Sequence, residues 1–87
     1  MADTTYARTM AEMSQDDRVE TTLDAAALTQ QGLVTRRQYD ILWLRTAGES
    51  HAMIGEALGL SRQRVAQIEV RTLEIMNQEA EKGDTHS

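Results

Sequence analysis

Arg62, Gln63, Gln67 and Arg71 put four hydrogen-bonding side chains on one short stretch, at spacings that bring them to the exposed side of a helix. Their chemistry suits the edges of base pairs. An arginine fork donates two parallel bonds to guanine, and a glutamine amide both donates to and accepts from adenine. Arg71 itself, Ser61 and Arg64 on the same stretch, and Arg36 and Arg37 earlier in the chain are expected to bond phosphate oxygens of the DNA backbone. By themselves such residues are equally at home on any solvated helix face. They acquire meaning only from the elements that hold them.

Those elements are written in residues 51–70, HAMIGEALGLSRQRVAQIEV. Apolar side chains fall at Ile54, Leu58, Leu60, Val65 and Ile68. Gly55 is small where two helices must cross, and Gly59 suits the left-handed backbone of a tight turn. Ser61 then restarts a helix, because its hydroxyl accepts from a free N–H of the first turn. Two helices joined by a short glycine-containing turn form the helix-turn-helix, whose second helix can enter the major groove. In that second helix Val65, Ile68, Thr72 and Met76 recur at spacings of three and four and are expected to face the core.

The rest of the chain constrains the class. Its 87 residues suffice for one small domain with a modest core. There is no cysteine, so disulfides and thiolate metal sites are excluded, which suits a reducing cytoplasm. No apolar run reaches membrane-spanning length, and no signal-peptide pattern opens the chain. Proline is absent, helix formers abound and no window alternates like a strand, so an all-α fold of about four helices is expected. The formal net charge is −5, but it is unevenly spread. Residues 35–73 carry six arginines against four acidic residues, between acidic segments on both sides. A mildly basic middle can still neutralise phosphates, while the flanks weaken non-specific binding.

Along the chain, residues 1–15 are weakly patterned and are expected to be a flexible terminus, although Tyr6, Met10 and Met13 could form a short stripe. The DNA-binding domain is expected over 16–80 and a disordered tail over 81–87. Asp17 and Glu20 resemble a capping box, followed by Val19, Leu23, Ala26 and Ala27 at helical spacing. Gly32 would end that helix, with Leu33 packing back on it. Thr35 and Gln38 form a second capping-box pattern, opening a helix with Ile41, Leu42 and Leu44 apolar and ending near Gly48. Ser50 would cap the helix from His51 to about Leu58, and the last helix would run to about Ala80. Trp43, Val70 and Leu73 lie off the main core stripes and suggest a surface for a partner or a second copy.

The segment LGLSRQRVAQIEVRTL, residues 58–73, resembles the end of region four of bacterial sigma factors, the part that reads the upstream promoter hexamer. The matching parts are Thr35–Arg37, Ile41–Arg45, Gly48, Met53–Gly55, Leu58–Arg62 and Arg64–Glu69, and the resemblance covers about residues 23 to 76. It implies base contacts from Arg62, Gln63 and Gln67, a phosphate contact from Arg64, and a core-edge ion pair between Arg45 and Glu69. Three positions depart from the family pattern. Gln63 stands where Glu is frequent, Ala66 where Arg is frequent, and Trp43 where a polar or basic residue is usual. The resemblance further implies a free-standing region-four-like regulator, of the kind found in phages and mobile elements.

The expected function is therefore sequence-specific, DNA-binding transcription regulation, with double-stranded DNA as partner and RNA polymerase or a second copy as further candidates. A dimer is expected because one recognition helix of a chain this size buries limited surface on DNA. An alternative is a protein-interaction module that binds RNA polymerase or another factor through Trp43 and the first helix. A third reading, the output domain of quorum-sensing-type regulators, fits the spacing of TRRQYDILWLRTAGES but is poorly served by AQIE. An enzyme is not expected. His51 and His86 are not spaced for a metal, Ser50 and His51 diverge on a helix start, and no glycine-rich phosphate loop is present. No cofactor, small-molecule ligand or membrane association is expected.

Overall fold

In a computed structural model that describes residues 6–84, a 3-10 turn at Met10–Glu12 leads into four α-helices: α1 (Gln15–Gln30), α2 (Arg36–Thr46), α3 (His51–Leu58) and α4 (Arg62–Asp84). Among the described residues there is no strand, as expected from the composition and patterning. None of the helices is long and apolar enough to cross a membrane.

Local chemistry sets most helix boundaries. The Thr35 hydroxyl accepts from the Gln38 N–H at 3.1 Å, and the Gln38 side chain accepts from the Thr35 N–H at 2.8 Å, a complete capping box. Ser50 accepts from the Met53 N–H at 3.1 Å. The start of α1 is not where Asp17 and Glu20 suggested. Ser14 caps it, accepting from the Asp17 N–H at 3.2 Å, and Asp16 and Asp17 sit inside the first turn, where the helix dipole favours negative charge. At the other end, α4 continues past Ala80 to Asp84, so the expected tail is helical over 81–84; residues 85–87, like 1–5, lie outside the described residues.

The apolar interior forms two clusters with α2 between them. Ile41 packs with Ile54 and Val65, joined by Leu44, Leu58, Leu60 and Ile68. Its neighbour Leu42, about a quarter-turn round the helix, packs with Met10, Met13, Ala25, Val34, Leu73 and Met76. Adjacent residues thus serve different clusters, each fully buried side chain contributing roughly 1.5–3 kcal/mol.

The second cluster corrects three expectations. The segment before α1 is not a loose terminus from residue 6 onward: Met10 is fully buried and Met13 nearly so. Leu73, expected on a partner surface, is 1 % exposed and belongs to this core. And α1 buries Thr21, Thr22 and Ala25, while Val19 and Leu23 face outward and Leu33 yields the inward position to Val34. The threonines can be buried because their hydroxyls are satisfied. Thr22 Oγ1 donates to the Arg18 carbonyl at 2.9 Å and lies 2.8 Å from Thr46 Oγ1, and Thr21 Oγ1 reaches Met13 Sδ at 3.3 Å. A hydroxyl bonded back to its own helix leaves mainly a methyl for packing, and small side chains let α1 and α2 approach closely.

Candidate nucleic-acid interface

The turn between α3 and α4 fixes the direction of the last helix. Gly59 has φ 75° and ψ 31°, the left-handed conformation, and its N–H donates to the Gly55 carbonyl. The Leu60 N–H donates to the same carbonyl at 2.8 Å. Gly55 is required by close approach, not by its own torsions: a Cβ there would collide with the Leu60 carbonyl oxygen. The tight contact is therefore between α3 and the backbone of the turn, one residue before α4 is capped. Ser61 then accepts from the Arg64 N–H at 3.1 Å through its hydroxyl, and its carbonyl accepts from the Val65 N–H at 3.1 Å.

Val65, Glu69, Thr72, Leu73 and Met76 point α4 into the interior. Away from that side its first three turns carry Gln63, Arg64, Gln67 and Arg71, all exposed, and Arg62 is exposed at the start of the helix. Arg64, Gln67 and Arg71 also border a shallow notch against the start of α2, completed by Thr35, Arg37 and Gln38. The fold thus brings Arg37 to α4 across more than twenty residues of sequence. Arg36 is not part of that notch. It points to Asp40 at 2.8 Å, lies over the Tyr39 ring, and that hydrogen bond raises its pKa. Arg71 makes only a long, exposed pair with Glu74 at 3.4 Å. Among the described residues, Arg37, Arg62 and Arg64 have no carboxylate partner within ion-pair distance. Their donors are therefore available to an outside acceptor.

Beneath this face sits a buried carboxylate. Glu69 is fully buried, and its Oε1 accepts from Arg45 Nε at 3.0 Å and meets His51 Nε2 at 2.7 Å. Its Oε2 accepts from the Met10 N–H at 2.7 Å. As a carboxylate Glu69 only accepts, so the His51 ring nitrogen carries the hydrogen. The Arg45–Glu69 pair was expected, whereas His51 and Met10 were not. Their signal lies outside any local pattern, because both are brought to Glu69 by packing across 18 and 59 residues. Arg45 also donates to the Glu49 carbonyl at 2.9 Å, tying the α2–α3 loop to the same node. One side chain of α4 therefore fixes α2, α3 and the N-terminal segment together.

Trp43 is half exposed on α2, in keeping with an outward-facing indole, and Met53 on α3 is exposed to a similar degree. Val70 is half-buried beside Ala66 and Gln67. Among the described residues no group of three or more histidines, cysteines or carboxylates is placed to hold a metal ion.

Neither a curated protein nor a solved structure matches the chain. The family model for sigma-70 region 4 does, over residues 32–76. That span begins at the glycine after α1, contains the capping box of α2, the Gly55–Gly59 turn and the whole exposed row of α4, and ends at the buried Met76. With just over half of the chain matched, the protein belongs to the sigma-70 region 4 family, a helix-turn-helix family associated with DNA binding and transcription.

Proposed function

We propose that the protein is a sequence-specific, DNA-binding transcription regulator that reads the major groove with α4. In this reading Arg62, Gln63 and Gln67 contact base edges, and Ser61, Arg64, Arg71 and Arg37 bond phosphates. The observation that carries it is the pairing of an exposed Arg/Gln row at the capped start of α4 with arginines that have no internal partner. A buried polar row would serve packing, and a row of internally paired arginines would have its donors already used. Arg36 is left out of the contact set because Asp40 holds it.

Selection of bound duplexes from a random library, followed by affinity measurement over a salt range, tests the proposal. A specific complex should weaken steeply with salt, by about 0.9 log units in affinity per log unit of salt for each phosphate neutralised. Arg62→Ala should cost roughly 1–3 kcal/mol on the selected duplex with little change in melting temperature. Equal affinity of the wild-type protein for selected and scrambled duplexes would reject specific recognition.

A protein-interaction reading is favoured by one observation, the exposed Trp43, a large aromatic side chain of the type that anchors interfaces. The family as a whole works on RNA polymerase, which makes polymerase the first partner to test. A homodimer is the less supported arrangement, since Leu73 is withdrawn into the core and Trp43 and Val70 are what is left of the expected surface.

A further inference from the structure

The N-terminal segment lies outside the region matched by the family model, yet it reaches the recognition helix. Its course is set by bonds at both ends. The Tyr6 N–H donates to Asn77 Oδ1 at 2.6 Å, and Asn77 Nδ2 donates back to the Tyr6 carbonyl at 3.1 Å. Further on, the Met10 N–H donates to Glu69, and Arg18 Nε donates to the Met10 carbonyl at 2.8 Å. Two α4 side chains, Asn77 and Glu69, therefore hold the strap along the helix. Arg8 lies between these anchor points. It is exposed, lines a notch with Ala66, Gln67, Val70, Arg71 and Glu74, and has no carboxylate within ion-pair distance among the described residues.

Gln67 and Arg71 border both notches of α4. Arg37 and Arg64 stand on one flank of that ridge and Arg8 on the other. A helix seated in the major groove has a phosphate backbone on each side. We propose that Arg8, carried to α4 by the N-terminal strap, is a DNA phosphate contact on the flank opposite Arg37 and Arg64. The inference rests on the proposed reading of α4 as a groove-binding helix. Ala66 contributes to the arrangement by being small, which leaves the notch open beside Arg8. Glu74 is the one acidic group in that notch, and Arg71 Nη1 approaches it at 3.4 Å.

The test uses the full chain and a duplex selected by the wild-type protein, with affinity measured from low to moderate salt. Arg8→Ala should lower the salt slope by about 0.9, the value for one phosphate contact. The wild-type protein should then lose about 3.5-fold more affinity than Arg8→Ala over a fourfold rise in salt. The loss should be similar on selected and scrambled duplexes, because a phosphate contact carries no base information. Arg8→Lys should retain the wild-type slope. Arg8→Ala should keep the wild-type melting temperature, since its side chain is exposed and makes no bond within the fold. A slope unchanged in Arg8→Ala, with wild-type binding intact, overturns the Arg8 assignment alone. Failure of the wild-type protein to bind any duplex overturns both this assignment and the reading of α4.

Discussion

The two apolar clusters flanking α2 are built from different kinds of residue. The one beneath the turn is branched and aliphatic: Ile41, Ile54 and Val65, edged by three leucines and Ile68. The one that holds the N-terminal segment adds three methionines, Ala25 and two buried threonines nearby to the aliphatic Val34, Leu42 and Leu73. Branched aliphatics at spacings of three and four announce a helix face. Threonines and methionines do not, because Thr is equally common on surfaces and Met adapts to irregular gaps. The first cluster fixes the angle between α3 and α4. The second fixes where residues 6–13 run, and so whether Arg8 stands beside α4 at all.

If Glu69 joins these two regions, removing it should damage both. Glu69→Ala deprives Arg45, His51 and the Met10 N–H of their acceptor at once, and breaking a buried pair typically costs about 3–5 kcal/mol. The lower end is expected, because Arg45 and His51 keep some contact with solvent. Urea unfolding should show one transition at a clearly lower midpoint. Loss of less than about 1 kcal/mol would mean the node is not what joins them.

Met10→Ala separates the regions more finely. Truncating a fully buried methionine should cost about 3 kcal/mol. As both clusters share α2, the loss should appear as a shifted single transition, with helix content and Trp43 emission changing together. Two separated transitions would show that the clusters fold independently.

The turn offers a smaller effect with a purely conformational cause. A Cβ at Gly59 meets nothing within 4 Å, so any cost comes from the left-handed backbone. Gly59→Ala should cost about 1–2 kcal/mol and Gly59→Val somewhat more, as β-branching tolerates positive φ poorly. Equal melting temperatures for all three proteins would contradict the left-handed turn.

The smallest effect is confined to alkaline pH. Partial burial, and then the hydrogen bond to Asp24 at 2.6 Å, push the Tyr6 phenol above the ordinary tyrosine range. The folded state therefore keeps this proton at a pH where the unfolded chain has lost it. That contribution to stability is fully present below about pH 10 and fades as pH rises further toward the folded value. Tyr6→Phe should flatten the decline of melting temperature above pH 10. An unaltered pH profile would show that the phenol does not anchor the strap.

Much of the region that holds the candidate interface was legible because its signals are short-range. Thr35, Ser50 and Ser61 cap helices within three residues of themselves, and Gly59 meets a torsional demand at its own position. The exposed row on α4 follows from Val65 and Thr72 facing inward. The face of α1 was misread because its interior positions are threonines, buried only after their hydroxyls find partners on Arg18, Thr46 and Met13. Its exposed Val19 and Leu23 gave the stronger apolar signal on the wrong side.

By itself, the amino-acid sequence determined the all-α class, the caps of α2, α3 and α4, the turn at Gly55–Gly59 and the polar row of the last helix. These depend on bonds and torsions closed within a few residues. Only the tertiary structure decided that Glu69 gathers Arg45, His51 and Met10, that Leu73 is core, that Arg36 turns to Asp40 while Arg37 joins α4, and that Arg8 stands beside Gln67 and Arg71. Most of these depend on contacts between residues far apart in the chain. Such contacts form only where packing has already brought the backbones together, and no local spacing rule encodes them.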